Sequence, residues 1–261
     1  MKVAIIGCGN MGSAIAHALS EKKNIDLFVY DKSQIAMNNL ASNASIKTLN
    51  EISEATSFDI VLIAIKPQVL PSMYPILSSL KPKMFISIAA GVSLEKLKHE
   101  LNTTAVVRFM PNIAARTKSA VTAVAFSSSL TEDDKRIAME IASSFGSAFE
   151  LEEKLFPAFI GISGSAIAYV FEFMHQLAMG GVREGIAYKT SLDIVRDTLN
   201  SAISLQKEAQ VGAIELETMV CSAAGTTIEG IKALDDGAFG KTVIDAVSAA
   251  ANKSRELEKN A

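Results

Sequence analysis

The sequence predicts an α/β fold: a parallel sheet fills the first part of the chain and helices alone fill the rest. Three observations lead there. Gly7-Cys8-Gly9-Asn10-Met11-Gly12 lies between a short β-rich apolar run and an Ala-rich helical pattern. Fully apolar runs then alternate with helical patterns as far as residue 151. After that the strand signals stop and long helical periodicities take over. Continuous apolar strands separated by helices mean a parallel sheet covered on both faces. In a Gly-x-Gly-x-x-Gly turn the first glycine permits the bend, the second lets a pyrophosphate approach the backbone, and the third packs helix on strand. The expected architecture is an N-terminal Rossmann-type dinucleotide-binding domain, residues 1–152. An all-helical domain for dimerisation and substrate binding follows, residues 153–261.

Each element has its own signal. Residues 2–7 form the first strand, and the helix after the glycines runs to about residue 21. Leu27-Phe28-Val29-Tyr30 is the second strand and ends at Asp31. Further strands are expected over residues 60–65, 84–89, 105–110, 121–126 and 148–151. Helical patterns fill residues 34–42, 69–80 and 94–101. Thr131, followed by Glu132, Asp133 and Asp134, starts a helix to about residue 145: an N-cap with acids in the first turn. Beyond the boundary, helices are expected over residues 165–184, 191–211, 226–235 and 239–257. The segment Ala168-Tyr169-Val170-Phe171-Glu172-Phe173-Met174 is apolar round much of its circumference, so it must be buried on most sides. A domain this small does not bury it alone, which makes a second copy of the chain the natural cover.

Composition sets the outer limits. The 261 residues are 49% hydrophobic and 20% charged, ample for a soluble globular protein with a sizeable core. A net charge of −3 points away from nucleic acid and from anionic membranes. No uninterrupted apolar segment reaches membrane-spanning length, and Gly7 and Gly9 cut short the N-terminal apolar run, so no signal peptide is expected. Cys8 and Cys221 are far apart, which fits a reducing, cytoplasmic compartment. His17, His99 and His175 have no ligand spacing, so no metal site is expected.

Ligands of such sheets lie beyond the carboxyl ends of the strands. The glycine turn, Asp31, Lys66-Pro67, Ala89-Ala90-Gly91 and Asn112 are therefore expected on one crevice. Asp31 stands where an acid accepts from a ribose 2′-hydroxyl and repels a 2′-phosphate; Lys32 and Ser33 beside it are suited to that phosphate. Near the other end of the chain, Val220-Cys221-Ser222-Ala223-Ala224-Gly225-Thr226-Thr227-Ile228-Glu229 has small residues ahead of a Thr-x-x-Glu pair. That pair predicts a capping box with Thr226 as N-cap. The first N–H groups of such a helix suit a carboxylate or phosphate.

Taken together, the sequence resembles the pyrroline-5-carboxylate reductases over essentially its whole length. The resemblance is carried by Ile6-Gly7-Cys8-Gly9-Asn10-Met11-Gly12, Ala64-Ile65-Lys66-Pro67, Ser87-Ile88-Ala89-Ala90-Gly91-Val92 and Arg108-Phe109-Met110-Pro111-Asn112. It continues through Gly161-Ile162-Ser163-Gly164-Ser165 and ends at Gly225-Thr226-Thr227-Ile228-Glu229. It implies reduction of the cyclic imine 1-pyrroline-5-carboxylate to L-proline with hydride from NADPH, and NADH as an alternative donor. A protonated C=N bond is already electrophilic, so positioning carries most of the catalysis. By the same resemblance the Thr227 hydroxyl bonds the ring nitrogen, and Ser222, Ala224, Gly225 and Thr226 hold the substrate carboxylate. Lys66 and Asn112 lie along the nicotinamide, Glu153 near the cofactor between the domains, and Asn50 near the adenosine. The family is a homodimer in which the partner's signature loop completes each site, and dimers assemble further.

The sequence departs from the family at Ile113-Ala114, where Thr-Pro is usual, and at Ile167, where Pro is usual. It departs again at Ala223-Ala224, where the loop lacks a Pro and a Gly. Two other readings share the architecture. A β-hydroxyacid dehydrogenase would carry a Lys on the long helix, and residues 163–173 contain none. A nicotinamide-binding sensor without turnover would accommodate the departures.

Overall fold

The computed structural model describes residues 1–259. The first part alternates β1 (Lys2–Ile6), α1 (Asn10–Ser20), β2 (Asp26–Tyr30), α2 (Gln34–Ala41), β3 (Ile46–Thr48) and β4 (Ile60–Ile63). It continues with α3 (Tyr74–Leu77), β5 (Met84–Ser87), α4 (Leu94–Glu100), β6 (Val106–Pro111), β7 (Ala120–Phe126), α5 (Glu132–Ser143) and β8 (Gly146–Glu150). The helical part comprises α6 (Phe156–Phe159), α7 (Ala166–Arg183), α8 (Tyr188–Ala209), α9 (Ala213–Val220), α10 (Thr226–Asp236) and α11 (Phe239–Lys259). The eight strands form one sheet in the order β3-β2-β1-β4-β5-β6-β7-β8.

The alternation of side chains along each strand builds two cores. Val3 and Ile5 of β1 face one side with Ile15 and Leu19 of α1 and Ile141 of α5. Ala4 and Ile6 face the other with Leu77 of α3, Leu97 of α4 and Phe156 of α6. Both sides are closed, which is why the strands read as unbroken apolar runs.

The sheet departs from the expected all-parallel order at one place: β6 and β7 are antiparallel, with Met110 opposite Ala123. Between them lies a 3-10 turn, Ile113–Thr117, too short for the crossover that a parallel pair requires. The edge strand β3 was not expected; in it only Ile46 is buried. The single helix expected over residues 69–80 is instead a 3-10 turn, Leu70–Ser72, followed by the four-residue α3. Pro71 and Pro75 remove two backbone donors and confine each piece to a helix start. The helix α9 is also additional to the expected set; Gly212 is its N-cap.

The chain divides into two compact units, Met1–Gly164 with residues 250–259, and Ser165–Ala249. The first unit thus extends past residue 152, because Phe156 and Phe159 insert into the second of the two cores. Among the described residues of Ser165–Ala249 only Ala178, Ser191, Val195 and Leu216 are buried. Within that unit α7 and α8 are neighbours, and a Cβ on Gly181 would stand 2.4 Å from the Ser191 hydroxyl. Among the described residues one helical stretch, Glu153–Arg183, is long and apolar enough by composition to cross a membrane. Glu172 interrupts its apolar run, so the stretch is not uninterrupted over that length.

Candidate active site

The glycine turn is built for close approach. Gly7 follows β1 at φ 108°, and its N–H donates to the Tyr30 carbonyl at 2.8 Å. A Cβ on Gly7 would lie 2.5 Å from the Ala64 carbonyl oxygen, and one on Gly12 2.0 Å from the Gly7 oxygen. Neither position admits a side chain. A Cβ on Gly9 would meet nothing within 4 Å. Gly9 therefore leaves the backbone bare toward open space, at the N-cap of α1, and no side chain caps that helix. The first N–H groups, from Asn10 and Met11, remain available to an anion. This geometry fits a dinucleotide pyrophosphate.

A cavity of about 210 Å³ opens beside the turn. Of the residues expected there, Gly7, Gly9, Asp31, Lys32, Ala64, Ile65 and Lys66 line it. Tyr30, Val69 and Met73 line it as well, and sequence reasoning missed them. Tyr30 directly precedes Asp31 at the strand end, so its place could have been inferred; Val69 and Met73 carry no motif. The Asp31 carboxylate is engaged with backbone: Oδ2 accepts from the Cys8 N–H at 2.6 Å and Oδ1 from the Ser33 N–H at 2.8 Å. It thus ties the glycine turn to the loop after β2. The Cys8 thiol is buried, and burial, reinforced by Asp31, pushes it from an ordinary 9.0 up to about 12. It is a packing group, not a nucleophile.

Other expected residues have partners within the protein. The Ser33 hydroxyl caps α2 by accepting from the Ala36 N–H at 3.3 Å. Asn50 follows β3, donates its N–H to Glu54 at 2.9 Å, and does not line the cavity. Pro67 follows Lys66 beyond β4, and Ala89, Ala90 and Gly91 follow β5, with Gly91 at φ 77°. Asn112 is expected along the nicotinamide. Its side chain is buried, with Oδ1 accepting from the Ala114 and Val121 N–H groups and Nδ2 donating to Ser163 Oγ at 3.2 Å. It holds the β6–β7 connection and does not line this cavity. Glu153 is expected near the cofactor. Its Oε1 accepts from the Leu94 N–H at 2.8 Å and from Arg108 at 2.7 Å. It joins the start of α4 to a buried guanidinium.

In the second unit the signature loop forms a tight turn, with the Gly225 N–H donating to the Ser222 carbonyl at 3.0 Å. Ala224 takes φ 57°. A Cβ on Gly225 would stand 2.2 Å from Ser222 Oγ and 3.1 Å from the Ser222 carbonyl oxygen, so the Ser222 hydroxyl would have to turn aside for a side chain there. The expected capping box does not form. Gly225, not Thr226, is the N-cap of α10, and no side chain caps the helix. The turn brings Thr226 into the helix as its first residue and Thr227 as its second. The N–H groups at this end are left to an external acceptor.

A family model described as pyrroline-5-carboxylate reductase dimerisation matches residues 153–257. The pyrroline-5-carboxylate reductase of Aquifex aeolicus (strain VF5) is 37% identical over 260 residues, covering 98% of this chain and 97% of that protein. This chain belongs to the pyrroline-5-carboxylate reductase family. The pyrroline-5-carboxylate reductase of Escherichia coli (strain K12) is 33% identical across 99% of both chains. Residues 2–91 match a second family model, described as NADP oxidoreductase, coenzyme F420-dependent. Two solved pyrroline-5-carboxylate reductases share the fold throughout. The one from Coxiella burnetii has a TM-score of 0.89 at 26% identity, covering 98% of this chain and 97% of that one. The one from Plasmodium falciparum, solved with NADP bound, has a TM-score of 0.84 at 28% identity, covering 99% and 98%. Each unit carries a helix start capped by a glycine without a side-chain cap: Gly9 ahead of α1 and Gly225 ahead of α10.

Proposed function

We propose that this protein reduces 1-pyrroline-5-carboxylate to L-proline with NADPH, the closing step of proline synthesis, and accepts NADH as an alternative donor. The observation that carries the proposal is full-length family membership joined to a glycine turn whose second glycine faces open space. When bound, the nicotinamide supplies a hydride to the imine carbon, while the ring nitrogen ends as a secondary amine. The chain's own residues position and polarise. The α10 N-terminus with Ser222, Ala224, Gly225 and Thr226 holds the substrate carboxylate, and the Thr227 hydroxyl bonds the ring nitrogen. The glycine turn and the first turn of α1 hold the pyrophosphate. Lys32, which lines the cavity beside Asp31, meets the 2′-phosphate, and Lys66 lies on the nicotinamide side.

In this reading the protein is cytoplasmic, consistent with its free Cys8 and Cys221. It acts as a homodimer that assembles further, without membrane or nucleic acid. The test is steady-state turnover with synthetic 1-pyrroline-5-carboxylate, with NADPH and NADH compared and proline identified as product. Turnover with a 3-hydroxyacid and none with the imine would favour the β-hydroxyacid dehydrogenase chemistry. Tight NADPH binding without turnover of either would leave a sensor.

A further inference from the structure

We propose that Arg116 is a second clamp on the cofactor and grips the pyrophosphate that the glycine turn receives; the inference rests on the NADPH reading above. A cavity of about 330 Å³ lies along the start of α1. Its wall runs from Cys8 and Gly9 through Asn10, Ser13 and His17 to Arg116. Gly9 lines both this cavity and the one that holds Asp31 and Lys32. The two spaces therefore meet at the glycine whose missing Cβ leaves the backbone open.

Arg116 is placed by local structure. It sits on the 3-10 turn Ile113–Thr117, which packs against α1. That turn is held from both ends. Asn112 caps it through the Ala114 N–H, and Lys118, just past it, pairs with Glu21 at the end of α1. The connection is thus fixed to the helix whose N-terminus faces the cavity.

The charges around that cavity are unbalanced. Gly9 caps α1 without a side chain, and the first turn of the helix carries no acid. No carboxylate lines the cavity. Arg116 itself makes no hydrogen bond or ion pair with another described residue. An unpaired guanidinium beside the positive end of a helix lacks an anion. A pyrophosphate supplies two charged groups with several acceptor oxygens, which a planar fork of donors grips well. Neither the glycine pattern nor the acid at the end of β2 signals this residue, because it comes from the turn after β6.

The pyrophosphate is common to NADPH and NADH, whereas the 2′-phosphate that Lys32 meets belongs to NADPH alone. That difference separates the two residues experimentally. Dissociation constants are measured by calorimetry for wild type, Arg116→Gln, Arg116→Lys and Lys32→Gln. The probes are NADPH, NADH and adenosine 2′-monophosphate, which has no pyrophosphate. Arg116→Gln is expected to raise Kd for both dinucleotides by the same factor, about tenfold, as loss of a charged hydrogen bond predicts. It leaves adenosine 2′-monophosphate binding and the melting temperature unchanged, and Arg116→Lys recovers part of the loss. Lys32→Gln weakens NADPH and adenosine 2′-monophosphate and leaves NADH alone. Unchanged Kd for both dinucleotides in Arg116→Gln overturns the clamp. A raised KM for the imine with cofactor Kd unmoved also overturns it and reassigns Arg116 to the substrate. A wild-type protein that binds neither dinucleotide removes the NADPH reading itself, and the clamp with it.

Discussion

Ala224 occupies the left-handed region at φ 57°, where a Cβ crowds the following carbonyl. Glycine takes this conformation freely, and the family usually has one here. Ala224→Gly removes strain of about 1–2 kcal/mol and returns about 0.4–1 kcal/mol through the freer unfolded chain. A net stabilisation near 1 kcal/mol is expected, read as a rise of a few degrees in melting temperature. A lower melting temperature would mean that the turn does not rely on the left-handed backbone. Thr227, two residues into α10 from its glycine cap, makes no capping bond, so its hydroxyl has no duty to the helix. Thr227→Ala should lower kcat/KM about tenfold to a hundredfold, the value of one hydrogen bond that tightens as the imine becomes an amine. Melting temperature and NADPH affinity should stay where they are; if both fall with it, Thr227 is structural. Motif residues such as Gly7 and Gly12 were legible in the sequence because backbone geometry leaves no substitute for them, and Gly9 because the motif asks for bare backbone there. The partners of Asn112 and Glu153 were not legible, because Ser163 and Arg108 lie far off in the chain. The cap at Gly225 was misread because Thr-x-x-Glu says nothing of a tight turn pulling the helix start back by one residue.

At the scale of elements, Arg108 on β6 joins pieces that lie distant in sequence. Its side chain is 1% exposed, pairs with Glu153 at 2.7 Å and Glu258 of α11 at 2.9 Å, and stacks 4.8 Å from the Phe156 ring centre. Removing one partner from a buried charge costs more than the pair contributes, since the remaining ion stays desolvated. Glu153→Ala should therefore destabilise the protein by about 3 kcal/mol, the low end for such losses because Glu258 still faces the guanidinium. Chemical denaturation gives the measurement. A loss of cofactor binding with stability unchanged would instead return Glu153 to the cofactor. The strands were legible because closure of both sheet faces makes them apolar throughout, but that same uniformity conceals strand direction. The antiparallel turn between β6 and β7 could still have been found, since residues 112–119 are too few for a crossover. Pro71 and Pro75 likewise announced the broken helix that apolar spacing alone concealed.

At the scale of the whole molecule, the two units differ in how far each completes itself. The sheet unit has two closed cores, yet Ser165–Ala249 buries only Ala178, Ser191, Val195 and Leu216 among its described residues. On α7, Phe171 is 64% exposed and Val170 48%; on α11, Ile244 is 67% exposed. Apolar side chains at this density do not hold a lone helical unit against chain entropy, and stable subunit interfaces of this kind bury large apolar areas. The dimerisation match over residues 153–257 covers this unit. The dimer is therefore expected to be obligate: the helical unit acquires its core only when two copies meet. Sedimentation across a dilution series should give a dimer or a larger multiple wherever the protein is active, with activity and helical signal lost together on dissociation. Phe171→Glu sharpens the test, because it puts a charge on the exposed apolar face without touching the glycine turn. The variant should lose assembly and turnover while the sheet unit keeps its fold and still binds NADPH. A monomeric Phe171→Glu protein with full turnover would mean that the helical unit sustains itself and that the exposed residues of α7 serve some other purpose.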